Sequence, residues 1–427
     1  MGIVRTAVIG SIVAVVIGLF VSTRKDPAPP TIFGGNVQSG FELVEKAFKE
    51  NFEQGFETEG AAFAACYRGK IVIDLWGGWA DKMSFRVWKH DTMTMAFSTT
   101  KAVTALVMAV LVDRGLLSYN DLVVKHWPEF AANGKSNITV KMLIGHEGGL
   151  AALDGTVTRE VVKDWRKMSK LFEDQVPNWP PGTAAGYHAL TFGWLCDQLV
   201  RRVDPRHRSL GKYFEDEIAK PFGIDFHIGL SRDQIYRVAR MRVVTAWEFI
   251  KHLDDWHFIE FMITLMINGQ KPLAKKVAKN PDWLKMDSDT FSFNDPDVQE
   301  MIIPGANGIG TARALARLFC LLDSIELLNK TTIKTISQPV IINEQDRVMG
   351  LNITWGYGFM HTVSPQGHYQ VGHPGYGGQN VKFDPYEGLS LAYLRNGMAP
   401  DMGELTRSWR ALQHATYESI RTLKSKR

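Results

Sequence analysis

Cysteine is scarce in this chain: Cys66, Cys196 and Cys320 are its only three, widely separated and odd in number. No C-x-x-C spacing occurs, which excludes a disulfide-rich scaffold or a zinc ribbon and leaves a lone disulfide open. Charge of one sign is lacking too, since 49 basic against 45 acidic residues give a net charge of only +4 over 427 residues. That balance offers no electrostatic footprint for nucleic acid, and no such partner is expected. Several catalytic signatures are also absent. There is no G-x-S-x-G elbow, no P-loop and no EF-hand, and His146-Glu147 lacks the second histidine of H-E-x-x-H. Neither a metal nor an organic cofactor is expected. No internal repeat is visible, and a composition that is 45% hydrophobic and 22% charged is that of a globular protein.

Two apolar runs stand out. The first, residues 7–21, lies between Arg5 and Arg24-Lys25 and is followed by the proline-rich stretch Asp26-Pro27-Ala28-Pro29-Pro30. It is near the ~20 residues that a spanning helix needs, and no good small-x-small cleavage site follows it. The expectation is an uncleaved, single-pass N-terminal anchor over residues 1–25, preferred to a cleaved signal or a mitochondrial targeting segment. A linker would follow over 26–40 and one catalytic domain over 41–427. The flanking charges leave sidedness, and the choice between secretory pathway and mitochondrion, open. The sequons at Asn137, Asn329 and Asn352 would be usable only in a secretory compartment.

The second run, Ala102 to Val112, is apolar on every side, the pattern of a helix buried inside a large domain, and Gly115 is its natural stop. Ser98 falls at its first turn, with Lys101 three residues on and so on the same face. A lysine held against a buried helix is desolvated, which disfavours its charged form and suits it to act as a base toward a serine. Ser-x-x-Lys occurs three times, at Ser22/Lys25, Ser98/Lys101 and Ser209/Lys212, and only the second is backed by a buried helix.

Around this helix, Ala61–Tyr67 and Lys70–Trp76 read as a hairpin turned at Arg68-Gly69. The middle of the chain, about 155–330, is helix-rich, with Pro272–Asn294 expected as a solvated loop and Gly308–Gly310 as a turn before a helix capped by Thr311. Strand patterns return at Gly356–Thr362, Tyr369–Gly372, Asn380–Phe383 and Leu389–Leu394, before a final helix from about Glu404. A sheet contributed by both ends of the chain, with helices inserted between, is an α+β architecture.

Several motifs recur in a fixed order: Ser98-Thr99-Thr100-Lys101, Trp127-Pro128-Glu129 through Lys135, Leu143-Ile144-Gly145-His146-Glu147-Gly148-Gly149-Leu150, Pro180-Pro181-Gly182 through Gly186-Tyr187-His188-Ala189, and Gly372-His373-Pro374-Gly375. Over about residues 35–420 the chain resembles the serine β-lactamase and penicillin-binding-protein superfamily, in particular its class C-like esterases and animal β-lactamase-domain proteins. The resemblance implies a β-lactamase/transpeptidase-like fold and a serine hydrolase that acts through an acyl-enzyme on Ser98. Lys101 would be its immediate partner, accepting the proton or tuning the hydroxyl, with the acylation base left between Lys101 and Tyr187. Tyr187 would be a general base and leaving-group acid, with a pKa lowered by the nearby cation. His373 would face the substrate, Gly375 would let the substrate approach the backbone, and the N–H groups of Tyr376 and Ser98 would form the oxyanion hole. His373 replaces the family's lysine and His188 its asparagine, which points to ester, amide or short peptide substrates and away from β-lactams. The competing expectation is a catalytically idle scaffold or assembly protein at a membrane. Oligomeric state is not legible.

Overall fold

The computed structural model describes residues 30–286 and 291–426, so the segment expected as an anchor, residues 1–25, lies outside the described residues. The N-terminal part supplies β1 (Phe33–Val37), helix α1 (Glu42–Glu53), β2 (Gly60–Tyr67), β3 (Lys70–Asp81), the short β4 (Arg86–Val87) and β5 (Thr94–Met95), and then helix α2 (Thr100–Asp113). Helix α3 (Thr191–Val203), β6 (Phe226–Ile228), α4 (Trp256–Gly269), β7 (Gly308–Gly310) and α5 (Ala312–Cys320) belong to the inserted block. The C-terminal part adds β8 (Ile341–Gln345), β9 (Asn352–Gly356), β10 (Phe359–Val363), β11 (Tyr369–Pro374), β12 (Asn380–Asp384), β13 (Leu389–Arg395) and helix α6 (Arg407–Ser425).

The main sheet runs β1-β3-β2-β13-β12-β11-β10-β9-β8, with β4 paired to β3. Every neighbouring pair is antiparallel, and the two ends of the chain meet where β13 pairs with β2. This is the expected α+β, β-lactamase/transpeptidase-like arrangement. The β2–β3 hairpin turns at Arg68 and Gly69, both at positive φ, the signature of a turn whose twist matches that of its strands. Of residues 356–362, expected as one strand, 359–362 lie on β10, while Gly356 ends β9 and the two strands are joined by a turn at Tyr357 and Gly358, again both at positive φ.

Period-two alternation assigns the two faces of the sheet. Ala62, Ala64, Ala392 and Leu394 join the large core around α2, whereas Ala61, Phe63, Ala65, Leu391 and Tyr393 face α1 and α6. Helix α2 is buried from Thr100 to Leu111, as its unbroken apolar pattern demands. Its hydroxyls are used: Thr104 donates to Pro304 O at 2.7 Å, and Thr100 Oγ1 accepts the Gly308 N–H at 2.8 Å. These bonds hold the 304–308 segment against the helix. They also explain why Gly308–Gly310 is strand β7, between β5 and β6, and not the expected turn. Thr311 does cap the helix that follows.

Three further expectations are corrected. Strand β1 falls within the stretch read as a linker; its glycines permit close pairing, since a Cβ on Gly35 would lie 2.1 Å from Asp74 O. Pro272–Asn294 is not simply a solvated loop: Pro272 opens a helix that runs to Ala278, a position where its missing N–H costs nothing. The membrane reading is overturned as well. Among the described residues no helix is long and apolar enough to cross a membrane. The apolar helix α2 has 14 residues, about 21 Å at 1.5 Å per residue against a ~30 Å hydrocarbon core, and is sealed inside the domain.

Candidate active site

Strand β5 delivers the chain to the start of α2 through a 3₁₀ turn over Phe97–Thr99. Phe97 takes a positive φ of 45°, a conformation that costs a bulky residue about 1–3 kcal/mol and that packing must enforce. Its ring is held by Phe293, Phe291 and Tyr376 at centroid distances of 5.0, 6.1 and 5.9 Å. The strained turn presents Ser98 at the head of the helix, while Lys101, one turn on, is fully buried.

Lys101 Nζ lies 3.1 Å from Ser98 Oγ and donates to the carbonyls of Ala189 and Gly305 at 2.6 and 2.7 Å. The Tyr187 hydroxyl donates to Ser98 Oγ at 2.6 Å. Lys101, one helical turn away, and Tyr187, 89 residues on, thus converge on the Ser98 oxygen. The other Ser-x-x-Lys match among the described residues does something else. Ser209 caps a short helix by accepting the Lys212 N–H, and the Lys212 ammonium pairs with Glu215 and Asp216.

Burial without a carboxylate partner holds the Lys101 amine well below the ordinary lysine range. Tyr187 departs from expectation: burial, aided by the charge of Asp346 and opposed by the Ser98 hydrogen bond, pushes its phenol up, not down. Desolvation of the phenol itself is the dominant cause, and the same dry environment disfavours the charged form of Lys101, which was invoked to lower it.

Tyr187 sits in a stack of rings. Trp355 lies nearly parallel to it at 6.0 Å, His373 at 5.9 Å, and His146 packs against both Tyr187 and Trp355 at 5.4 and 4.3 Å. His146 Nδ1 accepts the His188 N–H. His188 Nδ1 donates to Gly186 O at 2.6 Å, and its Nε2 accepts the Leu150 N–H at 2.9 Å. His188 therefore staples the Leu143–Leu150 motif to the segment that carries Tyr187. His373 is fully buried behind Tyr187, its Nδ1 donating to Pro374 O at 2.6 Å, where it had been expected to face the cleft. Burial depresses the pKa of all three imidazoles, His188 to about 4, so the ring cluster is neutral. Lys135, from the Trp127 motif, is structural: its buried ammonium donates to the carbonyls of Ala132, Glu173 and Gln175.

Gly375 lies against the turn that carries Ser98. A Cβ there would come 2.5 Å from Ala96 O and 2.8 Å from Thr99 Oγ1, so the close approach glycine permits is between β11's end and the turn that carries Ser98. This places Tyr376 next to Phe97. Sequence reasoning missed Trp355, the role of His146, and the carbonyls of Ala189 and Gly305. Only a Trp-Gly-Tyr-Gly hairpin signal pointed toward Trp355, and backbone acceptors leave no trace in residue identity.

A family model described as Beta-lactamase matches residues 48–416. The esterase/beta-lactamase LipL of Mycobacterium tuberculosis is 31% identical over 401 residues, spanning 88% of this chain and 86% of that protein. Among solved structures, a family VIII carboxylesterase matches with a TM-score of 0.79 at 31% identity, covering 91% of this chain and 100% of its own. A penicillin-binding-protein homolog from Caulobacter crescentus matches with 0.77 at 32%, with coverage of 91% and 100%. The structural likeness is to a carboxylesterase, and the membrane location, transmembrane helix and signal anchor read from the sequence are withdrawn. The chain belongs to the beta-lactamase family, within the serine β-lactamase and penicillin-binding-protein superfamily.

Proposed function

We propose that this serine hydrolase cleaves ester substrates through an acyl-enzyme on Ser98. The observation that carries the reading is the bonding around Lys101 Nζ. A neutral amine has two N–H groups and one lone pair. Two carbonyls, Ala189 O and Gly305 O, take the hydrogens, and Ser98 Oγ lies where the lone pair remains. In acylation the Ser98 proton passes to Lys101 as Oγ bonds to the substrate carbonyl carbon, and the carbonyl electron pair moves onto its oxygen. The N–H groups of Ser98 and Tyr376 are the proposed donors to that oxyanion. On collapse the C–O bond to the leaving alcohol breaks, the alkoxide takes the Tyr187 proton, and the Lys101 ammonium restores it. Water then attacks the acyl-enzyme by the reverse relay, giving the acid and free Ser98.

A phenol held above its usual range stays protonated and suits the donor role, which assigns the first proton transfer to Lys101. Gly375 serves by bringing Tyr376 to the nucleophile turn. His373 serves as a neutral, buried ring that supports Tyr187, which also removes the cation a β-lactam carboxylate would need. Hydrolysis of p-nitrophenyl esters by the wild type, Ser98→Ala and Tyr187→Phe tests this. Turnover in the wild type with loss in both variants is expected. Turnover that survives in folded Ser98→Ala would sink it, and no turnover at all would favour a scaffold that keeps the fold without the chemistry.

A further inference from the structure

The rings around Ser98 fall into two groups. On one side are Tyr187, Trp355, His373 and His146; on the other are Phe97, Phe291, Phe293 and Tyr376. Among the described residues no ring of one group touches a ring of the other: Ser98 joins them, hydrogen-bonded to Tyr187 and covalently linked to Phe97. A carbonyl carbon on Ser98 Oγ carries an oxyanion, a leaving alcohol and an acyl substituent. With Tyr187 as proton donor the alcohol lies on its side and the oxyanion on the Ser98 and Tyr376 N–H groups, which leaves the acyl substituent the third direction, away from Tyr187.

In the second group Phe97 and Phe293 are buried and form a backing layer, while Phe291 is half-buried and Tyr376 is 47% exposed. The two accessible rings flank Phe97, giving an apolar wall beside the nucleophile turn. The buried, neutral rings of His146, His188 and His373 supply no counter-charge for an acidic substituent, and burial disfavours the charged form of Lys101. We infer that Phe291 and the Tyr376 ring form an acyl-binding wall that selects uncharged esters of medium-chain or aryl carboxylic acids. The inference rests on the acyl-enzyme reading above and adds to it which half of the substrate is read, and by which residues.

The test compares kcat/KM for p-nitrophenyl acetate and octanoate in the full-length wild type, Phe291→Ala, Phe291→Leu and Tyr376→Ala, the last keeping the backbone N–H. The octanoate-to-acetate ratio is expected to be about tenfold or more in the wild type, from apolar contacts of the longer chain. It should fall to within about threefold in Phe291→Ala and drop in Tyr376→Ala, and it should largely return in Phe291→Leu. Lengthening the alcohol of an acetate ester should give a preference that Phe291→Ala leaves unchanged. A ratio that does not respond to either ring, or an alcohol preference that responds instead, overturns the inference. A fluorophosphonate adduct on Ser98 separates the two failures: an adduct with no chain-length preference overturns only the acyl wall, whereas no adduct and no turnover overturn the hydrolase reading with it.

Discussion

A lysine amine in water is protonated and has no lone pair to offer; Lys101 gains one by being dry. Its pKa is depressed, so the reactive form is lost as pH falls through that depressed value and is complete above it. The rate is therefore expected to rise along a single limb with increasing pH and then level off. Because the Tyr187 phenol is raised, no alkaline fall should appear in the ordinary tyrosine range. A pH–kcat/KM profile checks both the rise and the plateau, and Lys101→Met should cost about a hundredfold or more, as loss of a general base does. Tyr187→Phe keeps the rings of Trp355, His146 and His373 packed, so it should melt close to the wild type while losing a comparable factor in rate. Of these groups, Ser98 and Lys101 were legible because spacing and an apolar helix suffice to find them, and Tyr187 because a motif marks it. The ionisation of Tyr187 was misread because it depends on how deeply the phenol itself is buried, which only the folded chain determines.

Elements bring these residues into register. Gly375 lets the end of β11 touch the turn before α2, and a methyl group there meets backbone and a buried hydroxyl. Gly375→Ala is expected to destabilise the fold by about 1–3 kcal/mol and to lower turnover more than that loss explains, by moving Tyr376 away from Ser98. Thermal melts and ester turnover on the same sample check it; unchanged turnover would show that the approach is not needed. A disulfide joins Cys66 on β2 to Cys320 at the end of α5 across 254 residues of chain. Closing so long a loop restricts the unfolded chain, and Cys320→Ala should lower unfolding free energy by about 4 kcal/mol in denaturant titrations. Equal stability of the two proteins would contradict that. Helix α2, the β2–β3 hairpin and the sheet from both chain ends could be read from period and turn residues. The Cys66–Cys320 pairing could not, because nothing local links residues so far apart, and β1 was hidden because its glycines serve packing against β3.

Across the whole molecule, buried neutral histidines make the fold sensitive to acid. His188 and His361 are each held at about 4 by burial, against 6.5 when exposed. Between those values the unfolded chain binds the extra protons, so stability falls as pH falls through this window and is full above it. Each should cost about 2 kcal/mol between about pH 7 and about pH 5, and His361→Gln should flatten the urea-midpoint profile. A profile that is flat in the wild type would show that these rings are not dry. The central claim is that this fold assembles one activated serine. Intact-mass analysis of the full-length protein after exposure to a fluorophosphonate tests it most directly. The account predicts a single adduct that maps to Ser98 and is missing in Ser98→Ala. A folded wild type with no adduct, or with its adduct on another residue, would contradict it.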